Sequence, residues 1–486
     1  MTDQRIVILE LGGERAPQIA QFVRTFGVYT VITDLEMLLL DVRDERTVGL
    51  IAVGSPDDVN SPSALRLPPE LFETGKPMIC VGYAAYAMTY ALMGRVEKYN
   101  GNLASKSKAV FDVSSPLFTG MDANVTIKNF YKDSITILPR GFKSIACSKE
   151  YRNLVIADEE RKIYGIQPFL DNELCCQILK NFFTDICSCS FNRTPEILED
   201  RVISELRTRV KKGKAIVAVS GGVSSLVCVA ACMKALPGRC RFVMVDHGLF
   251  RKNEIEETKK LISSYGLELE VVDASVRTII ELKDKIEYND KCITICKIVY
   301  DELKNVLKKD PDASYIITGT YKSERVSDND DRVQTGAGIK ELIVPFADMY
   351  RNEIREIGKN YGFSVAELSR HIFSYTGLAS YIADDVTLKK LELVRCADFI
   401  LRDEMSKTRC KARKLMVLLQ KPVATEERYC IVVRAVTMNG IFGPTFVSVP
   451  YRVLAKISER ISDDIPEIIR VAYDISDVFG INSEYI

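Results

Sequence analysis

The sequence predicts an α/β protein built from several domains. Apolar β-branched runs alternate with helical patterns near the N-terminus and again after residue 213, and this alternation is typical of mostly parallel, doubly wound sheets. The chain has 486 residues, which at roughly 150 residues per domain corresponds to about three domains. We find no internal repeat or low-complexity tract in the sequence.

Composition argues against several classes of function. Lys+Arg and Asp+Glu both total 66, so the net charge is zero, and no basic face for nucleic acid is expected. No apolar stretch reaches the ~18–20 residues of a membrane span, and the first residues lack the features of a signal peptide. We therefore expect a cytoplasmic protein with no membrane partner. The 14 cysteines are spread along the chain and there are two histidines, so we predict reduced thiols and no metal site.

The N-terminal segment alternates strands and helices. Apolar runs predict strands, and apolar residues at helical spacing predict helices. The predicted strands cover residues 5–11, 28–32, 48–53, 77–82, 125–128, 134–138 and 163–166, and the predicted helices cover 16–26 and 84–92. A junction at 187–194 follows, where Thr194 can cap a helix that begins at Pro195 and that Gly213 can end.

A second alternation begins after Gly213. The predicted strands cover residues 214–220, 241–246, 268–272 and 315–319, and the predicted helices cover 224–236, 253–265 and 290–308. Residues 346–357 again carry apolar residues at helical spacing. A smaller α/β domain is expected from near residue 386.

A glycine-rich turn joins the first strand and helix of this second alternation. The residues are Ser220-Gly221-Gly222-Val223-Ser224-Ser225. Such a turn presents backbone N–H groups and the positive end of a helix dipole, which suit phosphate or pyrophosphate. The turn resembles the Ser-Gly-Gly-x-Asp-Ser loop of the ATP pyrophosphatases, with Ser224 where that loop has Asp.

Five stretches, in the same order, resemble the glutamine-hydrolysing GMP synthase family; they lie at 6–29, 181–189, 220–225, 245–254 and 450–475. The resemblance implies a class I glutamine amidotransferase-like domain over 1–190 with a doubly wound sheet. It also implies an ATP pyrophosphatase-like domain (adenine nucleotide alpha hydrolase-like) over 191–385 and a C-terminal α+β dimerisation domain over 386–486. In that family the first domain frees ammonia, the second adenylylates XMP, and the third forms the dimer and completes the XMP site. A homodimer through the C-terminal domain is therefore expected.

The resemblance fails at the glutaminase site. Glutamine hydrolysis needs a thiolate nucleophile and an activating histidine, and Gly82 occupies the nucleophile position of the family's Gly-x-Cys-x-Gly motif. Cys80 lies two residues earlier, inside the strand and away from the turn that lowers a thiol pKa. The family's Gly-Val-Gln-Phe-His-Pro-Glu motif corresponds to 165–171, which has no histidine, and His247 and His371 lie in other predicted domains. We predict that glutaminase activity is lost.

The synthetase site departs from the family as well. Ser224 replaces a carboxylate that suits Mg²⁺, and the alternative role for Ser224 is that of a helix N-cap. The family's acidic residues after 318–320 are reduced to Glu324, and the lid equivalent at 331–339 has lost both family histidines. ATP and Mg²⁺ binding is therefore expected to be weakened, and no tightly bound cofactor is expected.

Two candidate residues for XMP remain. Arg434 stands where the family has an arginine near the substrate phosphate, and Glu484 fits the inner glutamate of the family's C-terminal tail. The tail's lysine and terminal glutamate are absent, and the segment 371–378 has lost three family prolines. A surface ion pair is the alternative role of Arg434. XMP or another purine nucleotide is the candidate small-molecule partner.

These observations assign no catalytic residue. The predicted nucleotide-binding residues are Ser220, Gly221, Gly222, Val223, Ser224, Ser225, Val245 and Gly319. The main hypothesis is a catalytically impaired GMP synthase homologue that acts by binding a partner or a nucleotide. The alternatives are an ammonia-dependent synthetase that lacks the glutaminase and an ATP pyrophosphatase that acts on a different acceptor.

Overall fold

The computed structural model describes residues 4–13, 15–54, 58–98, 106–128, 133–167, 172–322, 341–370, 376–421, 428–438 and 444–476. The chain divides into two compact units. The first contains Met1–Thr194 together with Met438–Gly443, and the second contains Pro195–Thr437 together with Pro444–Ile486. The predicted three-domain division at residues 190 and 385 stays a prediction.

The first unit is a strand–helix alternation followed by antiparallel strands. Its strands are β1 (Arg5–Leu11), β2 (Tyr29–Thr33), β3 (Thr47–Gly54), β4 (Met78–Gly82), β5 (Arg95–Lys98), β6 (Lys106–Phe111), β7 (Asn124–Lys128), β8 (Asp133–Ile137), β9 (Lys143–Ser148), β10 (Val155–Asp158) and β11 (Ile163–Ile166). Its helices are α1 (Ala16–Arg24), α2 (Leu38–Arg43), α3 (Tyr83–Ala91) and α4 (Asn172–Asn181).

In the described residues, nine of these strands form one sheet in the order β2-β1-β3-β4-β11-β10-β9-β6-β7. The first five are parallel, and the remaining pairings are antiparallel. Alternate residues of β1, such as Val7 and Leu9, share a core with Ala84 and Met88 of α3. The sheet therefore has α3 packed on one face, directly behind the end of β4.

The second unit contains a parallel sheet and a separate C-terminal sheet. Its strands are β12 (Lys214–Ala218), β13 (Cys240–Asp246), β14 (Leu269–Asp273), β15 (Ala313–Thr318), β16 (Glu341–Ile343), β17 (Lys414–Gln420), β18 (Tyr429–Met438), β19 (Pro444–Phe446) and β20 (Ile468–Tyr473). Its helices are α5 (Pro195–Arg209), α6 (Val223–Ala235), α7 (Glu254–Ser264), α8 (Ser275–Glu281), α9 (Tyr288–Lys309), α10 (Arg351–Asn360), α11 (Val365–Leu368), α12 (Leu388–Ser406) and α13 (Tyr451–Asp464).

The parallel sheet has the strand order β14-β13-β12-β15-β16. Val217 on β12 packs with α5, α6 and α10, whereas its neighbour Ile216 packs with Ile298 of α9. Helices therefore cover both faces, as a doubly wound sheet requires. Strand order reverses direction between β12 and β15, and open α/β sheets bind ligands at the carboxyl ends of strands at such a point.

The C-terminal sheet pairs β18 with β17, β19 and β20. Helices α12 and α13 cover it through a core that includes Val394, Val417, Ile431 and Ile457. None of the helices in the described ranges is both long enough and apolar enough to cross a membrane.

These elements confirm the predicted α/β class, and strands 5–11 and 163–166 have the predicted limits. The other predicted strand and helix limits differ from the observed ones by one or two residues, and two of the departures involve glycines. α1 ends at Arg24 because Gly27 turns the chain, with φ 78° and its N–H bonded to the Arg24 carbonyl at 3.0 Å. α5 ends at Arg209, and Gly213 lies instead at the entry to β12 with φ 91°. Of the residues 346–357 that carry the helical spacing, those from Arg351 onward are helical, and Glu353 accepts from the Tyr350 N–H at the start of this helix.

Candidate functional site

The first candidate site is the turn between β4 and α3. Gly82 has φ 64° and ψ −126°, a conformation that glycine adopts readily and that costs other residues about 1–3 kcal/mol. Gly82 pairs in register with Gly54 at the end of β3. A Cβ on Gly54 would lie 2.9 Å from the Tyr83 Cβ, so the first residue of α3 packs directly on β3. The sharp strand–turn–helix geometry is present, but its central residue has no side chain.

Cys80 does not replace the missing nucleophile. Its side chain is fully buried inside β4, where burial raises the pKa of the thiol to about 12. A thiol with that pKa is neutral at physiological pH and is therefore a poor nucleophile. Loss of glutaminase activity stays a prediction.

The segment that resembles the family's histidine motif has a structural role where it is described. The Gln167 side chain accepts from the Ile135 N–H at 3.0 Å and donates to the Asn153 carbonyl. Asn153 in turn donates to the Ile135 carbonyl at 2.8 Å. Residues 168–171 lie outside the described residues. So do Ser55 and Pro56, which resemble part of the family's oxyanion loop, and His371, Glu324, the segment 331–339 and Glu484.

The second candidate site is the loop between β12 and α6. Gly221 has φ 81°, and Gly222 is the N-cap of α6. The Ser225 hydroxyl donates to the Gly222 carbonyl at 2.9 Å and accepts from the Ser220 N–H at 3.3 Å, so Ser225 fixes the turn from inside. The N–H groups of the first helical turn have no acceptor within a helix and are available to an anion.

Ser224 is the second residue of α6. The N-cap position belongs to Gly222, which makes no side-chain capping bond. The alternative in which Ser224 caps the helix is therefore wrong. Ser224 is partly exposed, so a neutral hydroxyl stands where the family loop has a carboxylate.

Gly319 follows β15 and approaches the loop from the neighbouring strand. A Cβ at this position would lie 2.8 Å from the Ser224 carbonyl oxygen and 2.8 Å from the Ser225 Cα. Only glycine allows that approach without a shift of α6. The ends of β12 and β15 therefore bring Gly319 against the loop at the reversal of strand order.

The remaining predicted residues occupy different environments. Val245 lies on β13, and its side chain is buried in the core on the α9 face, so only its backbone can reach a ligand.

Arg434 on β18 is also buried; its Nη2 donates to the Ser476 carbonyl at 3.0 Å, and its Nε lies 3.7 Å from Asp474 Oδ2. Arg434 does lie near a carboxylate, but the alternative of a surface ion pair is wrong, because the Arg434 side chain is only 5% exposed.

His247 and the turn that follows β13 were not predicted as a site. His247 is buried and stacked on Phe250 with ring centroids 4.2 Å apart, and burial lowers its pKa to about 4. Its Nδ1 accepts from the Leu249 N–H at 3.1 Å. Arg395 of α12 contacts the same turn; because it lies about 145 residues away in sequence, no local pattern could have indicated the contact.

Within the described ranges, no group of three or more His, Cys, Asp or Glu side chains is arranged to hold a metal ion. All fourteen cysteines are free thiols.

A glycine loop at the strand reversal of a parallel sheet defines an α/β protein of the doubly wound class, in which such loops suit phosphate groups. The GMP synthase C terminal domain family matches residues 421–479. "GMP synthase [glutamine-hydrolyzing]" of Limosilactobacillus reuteri is 30% identical over 498 residues, covering 97% of this chain and 96% of the relative. The protein of that name from Lactobacillus gasseri is 30% identical over 497 residues with the same coverage, and that from Caldanaerobacter subterraneus is 28% identical over 508 residues, covering 97% of each chain. The chain belongs to the family of glutamine-hydrolysing GMP synthases.

Proposed function

We propose that this chain is a GMP synthase homologue without glutaminase activity that binds an adenine nucleotide and is impaired in the family reaction. That reaction is the ATP-dependent amination of XMP to GMP. The observation that carries the proposal is Gly82. With φ 64° and ψ −126° it occupies the sharp strand–turn–helix position of a nucleophile, but glycine has no side chain that could act as one. A covalent mechanism has no atom to start from at this position.

Cys80, two residues before the turn, does not supply the nucleophile. Cys80 is inside the strand, and burial raises its pKa to about 12. The family's histidine motif supplies no general base either, because its equivalent at 165–171 contains no histidine. Loss of glutamine hydrolysis therefore has two independent physical causes.

Nucleotide binding is supported by the loop at 220–225. Its backbone N–H groups and the N-terminus of α6 suit the phosphates of ATP, and Gly319 leaves the space that keeps the loop against β15. Mg²⁺ prefers carboxylate oxygens, and Ser224 offers only a hydroxyl. These residues fit ATP itself better than they fit the metal ion, so we expect nucleotide affinity to survive better than turnover.

A second candidate function is an ammonia-dependent synthetase. The observation that favours it is the intact geometry of the loop, in which Ser225 bonds both the Ser220 N–H and the Gly222 carbonyl. Such an enzyme would take free ammonia directly and would not need the turn at Gly82.

The domain limits and the assembly are part of the same proposal. We assign the amidotransferase-like domain to 1–190, the pyrophosphatase-like domain to 191–385 and a dimerisation domain to 386–486. The family match at 421–479 supports the last of these. A homodimer in the cytoplasm follows, and a monomer mass by light scattering at micromolar concentration would contradict it.

The deciding experiment incubates the protein with ATP, Mg²⁺ and XMP, with either glutamine or ammonium as the nitrogen source, and follows GMP and AMP. Titration of ATP into the same protein by calorimetry measures binding. We expect ATP binding, no GMP from glutamine, and no GMP above a no-enzyme blank from ammonium. GMP from ammonium alone would establish the second candidate, and GMP from glutamine would refute both.

A further inference from the structure

The turn that follows β13 lies at the carboxyl end of the strand next to β12. It comprises residues 247–251 and is called here the β13 turn. Two of its N–H groups are bonded locally: the Gly248 N–H to Asp246 Oδ1 at 2.8 Å, and the Leu249 N–H to His247 Nδ1 at 3.1 Å. Because ligands of such sheets bind beyond the carboxyl ends of the strands, this turn forms one side of the proposed nucleotide site.

The carbonyl groups of the β13 turn are held by the C-terminal part of the chain. Arg395 of α12 donates from Nη2 to the Gly248 carbonyl at 2.6 Å and from Nε to the Phe250 carbonyl at 3.0 Å. The carbonyl between them, that of Leu249, accepts from the Leu378 N–H at 2.8 Å. Three consecutive peptide groups therefore have their orientation set by residues more than 120 positions later in the sequence.

A buried ion pair and a buried side chain reinforce this attachment. Asp398, one turn after Arg395 on α12, has Oδ2 3.1 Å from Arg251 Nε, and its side chain is 2% exposed. The Leu249 side chain is fully buried in the core formed by Leu378, Val394 and the C-terminal sheet. The β13 turn thus follows the parallel sheet in sequence but packs as part of the C-terminal core.

We propose that Arg395 is a positioning residue that couples the nucleotide site to the C-terminal core by fixing the β13 turn. The inference rests on the proposed binding of a nucleotide at 220–225. Coupling between two sites is reciprocal, so ATP must also stabilise the C-terminal core. The affinity for ATP can then be regulated from the C-terminal core: a ligand or partner that orders the C-terminal sheet raises the affinity, and a change that loosens α12 lowers it.

The test compares Arg395→Gln with a matched control. Arg239 is likewise partly exposed and likewise donates to two backbone carbonyls, those of Gly213 at 2.9 Å and Val210 at 3.1 Å. Those carbonyls lie before β12, at the opposite end of the sheet. Arg239→Gln therefore removes the same kind of contact away from the nucleotide side.

The measurements are the Kd for ATP with Mg²⁺ by calorimetry and hydrogen exchange of residues 376–421 with and without ATP. We expect Arg395→Gln to raise the Kd about tenfold, within the ~5–150-fold range of coupled sites, and to abolish ATP-dependent protection. Arg239→Gln is expected to leave both as in the wild type. Arg395→Lys keeps the positive charge and one donor group, so it is expected to recover part of the affinity for ATP. It replaces the glutamine variant in the comparison if that variant does not fold.

Equal Kd values for the Arg395 and Arg239 variants would overturn the coupling while leaving nucleotide binding in place. Absence of ATP binding by the wild-type protein would overturn the proposed nucleotide site, and the coupling with it. A raised Kd in the Arg395 variants alone would support the coupling.

Discussion

Gly82→Cys places a thiol in the turn between β4 and α3 and tests whether the turn is still built for a nucleophile. The backbone at φ 64° and ψ −126° costs a residue with a Cβ about 1–3 kcal/mol. For a unit of this size, about 2 kcal/mol corresponds to a fall of roughly 4–8 °C in Tm. Gly82→Ala is the matched control, because alanine carries the same backbone cost without the thiol.

The introduced thiol is expected to be reactive because it would lie at the N-terminus of α3. A helix N-terminus lowers a thiol pKa below its ordinary ~8.5. A shift of about one pKa unit raises the thiolate fraction at pH 7 from ~3% to ~25%. Because the nucleophilicity of a thiolate falls with its pKa, the net gain in alkylation rate is roughly threefold. Cys80, whose pKa burial raises to about 12, stays unreactive in the same strand.

Iodoacetamide labelling followed by peptide mass spectrometry separates these two thiols from the exposed Cys147 and Cys396. Thermal unfolding gives the backbone cost, and glutamate release gives glutaminase activity. We expect fast labelling and equal Tm values for the cysteine and alanine variants. We also expect no glutamate above the wild-type level, because the equivalent of the family's histidine motif at 165–171 has no histidine to act as the base. Labelling as slow as that of Cys80 would refute the inference that the turn geometry persists, and glutamate release would refute the loss of the base.

Three further predictions concern single residues. Gly319→Ala adds a Cβ 2.8 Å from the Ser224 carbonyl, so calorimetry is expected to show at least a tenfold loss of ATP affinity, and an unchanged Kd would contradict the packing argument. Burial lowers the pKa of His247 to about 4, whereas in the unfolded chain its pKa is ~6.5. Because only the unfolded chain binds this proton between pH 7 and pH 5, the free energy of unfolding of the wild type falls by about 2 kcal/mol over that range. Urea unfolding of His247→Gln should lack that fall, and an equal fall in both proteins would show that other groups cause it. Lys291 is buried and donates from Nζ to the Ile382 and Asp384 carbonyls at 2.6 and 2.9 Å. Lys291→Met is therefore expected to lower the free energy of unfolding in urea by about 2–4 kcal/mol. The control Lys297→Met, at an exposed position, should change it by less than ~0.5 kcal/mol.

Local patterns predicted the elements that carry strong periodicity. Strand 5–11 was confirmed with its limits because its β-branched run is buried along its length. The strand β6 was not predicted, since Lys106 and Lys108 interrupt its apolar residues and its pairing partners β7 and β9 lie farther along the chain. Such strands form because their neighbours offer hydrogen bonds, and a window of sequence does not contain those neighbours.

The candidate sites show the same contrast between features that are local in sequence and features that join distant segments. The glycine loop at 220–225 was predictable because its residues are contiguous, and the absence of a side chain at Gly82 is readable from the sequence directly. The assignment of Ser224 as an N-cap failed by two positions, because the positive φ of Gly221 lets the helix begin at Val223. The contacts of Arg395 were out of reach, because they join segments that meet only in the folded chain.

Leu249 also sets an order of events during synthesis. Its burial partner Leu378 emerges only after ~130 further residues are added, which at ~5–20 residues per second takes on the order of 10 s. During that interval the parallel sheet can pair β12 with β13, but the turn after β13 has no core to enter and carries an exposed leucine. A nascent or truncated chain that stops before α12 therefore offers a chaperone a hydrophobic segment beside the proposed nucleotide site.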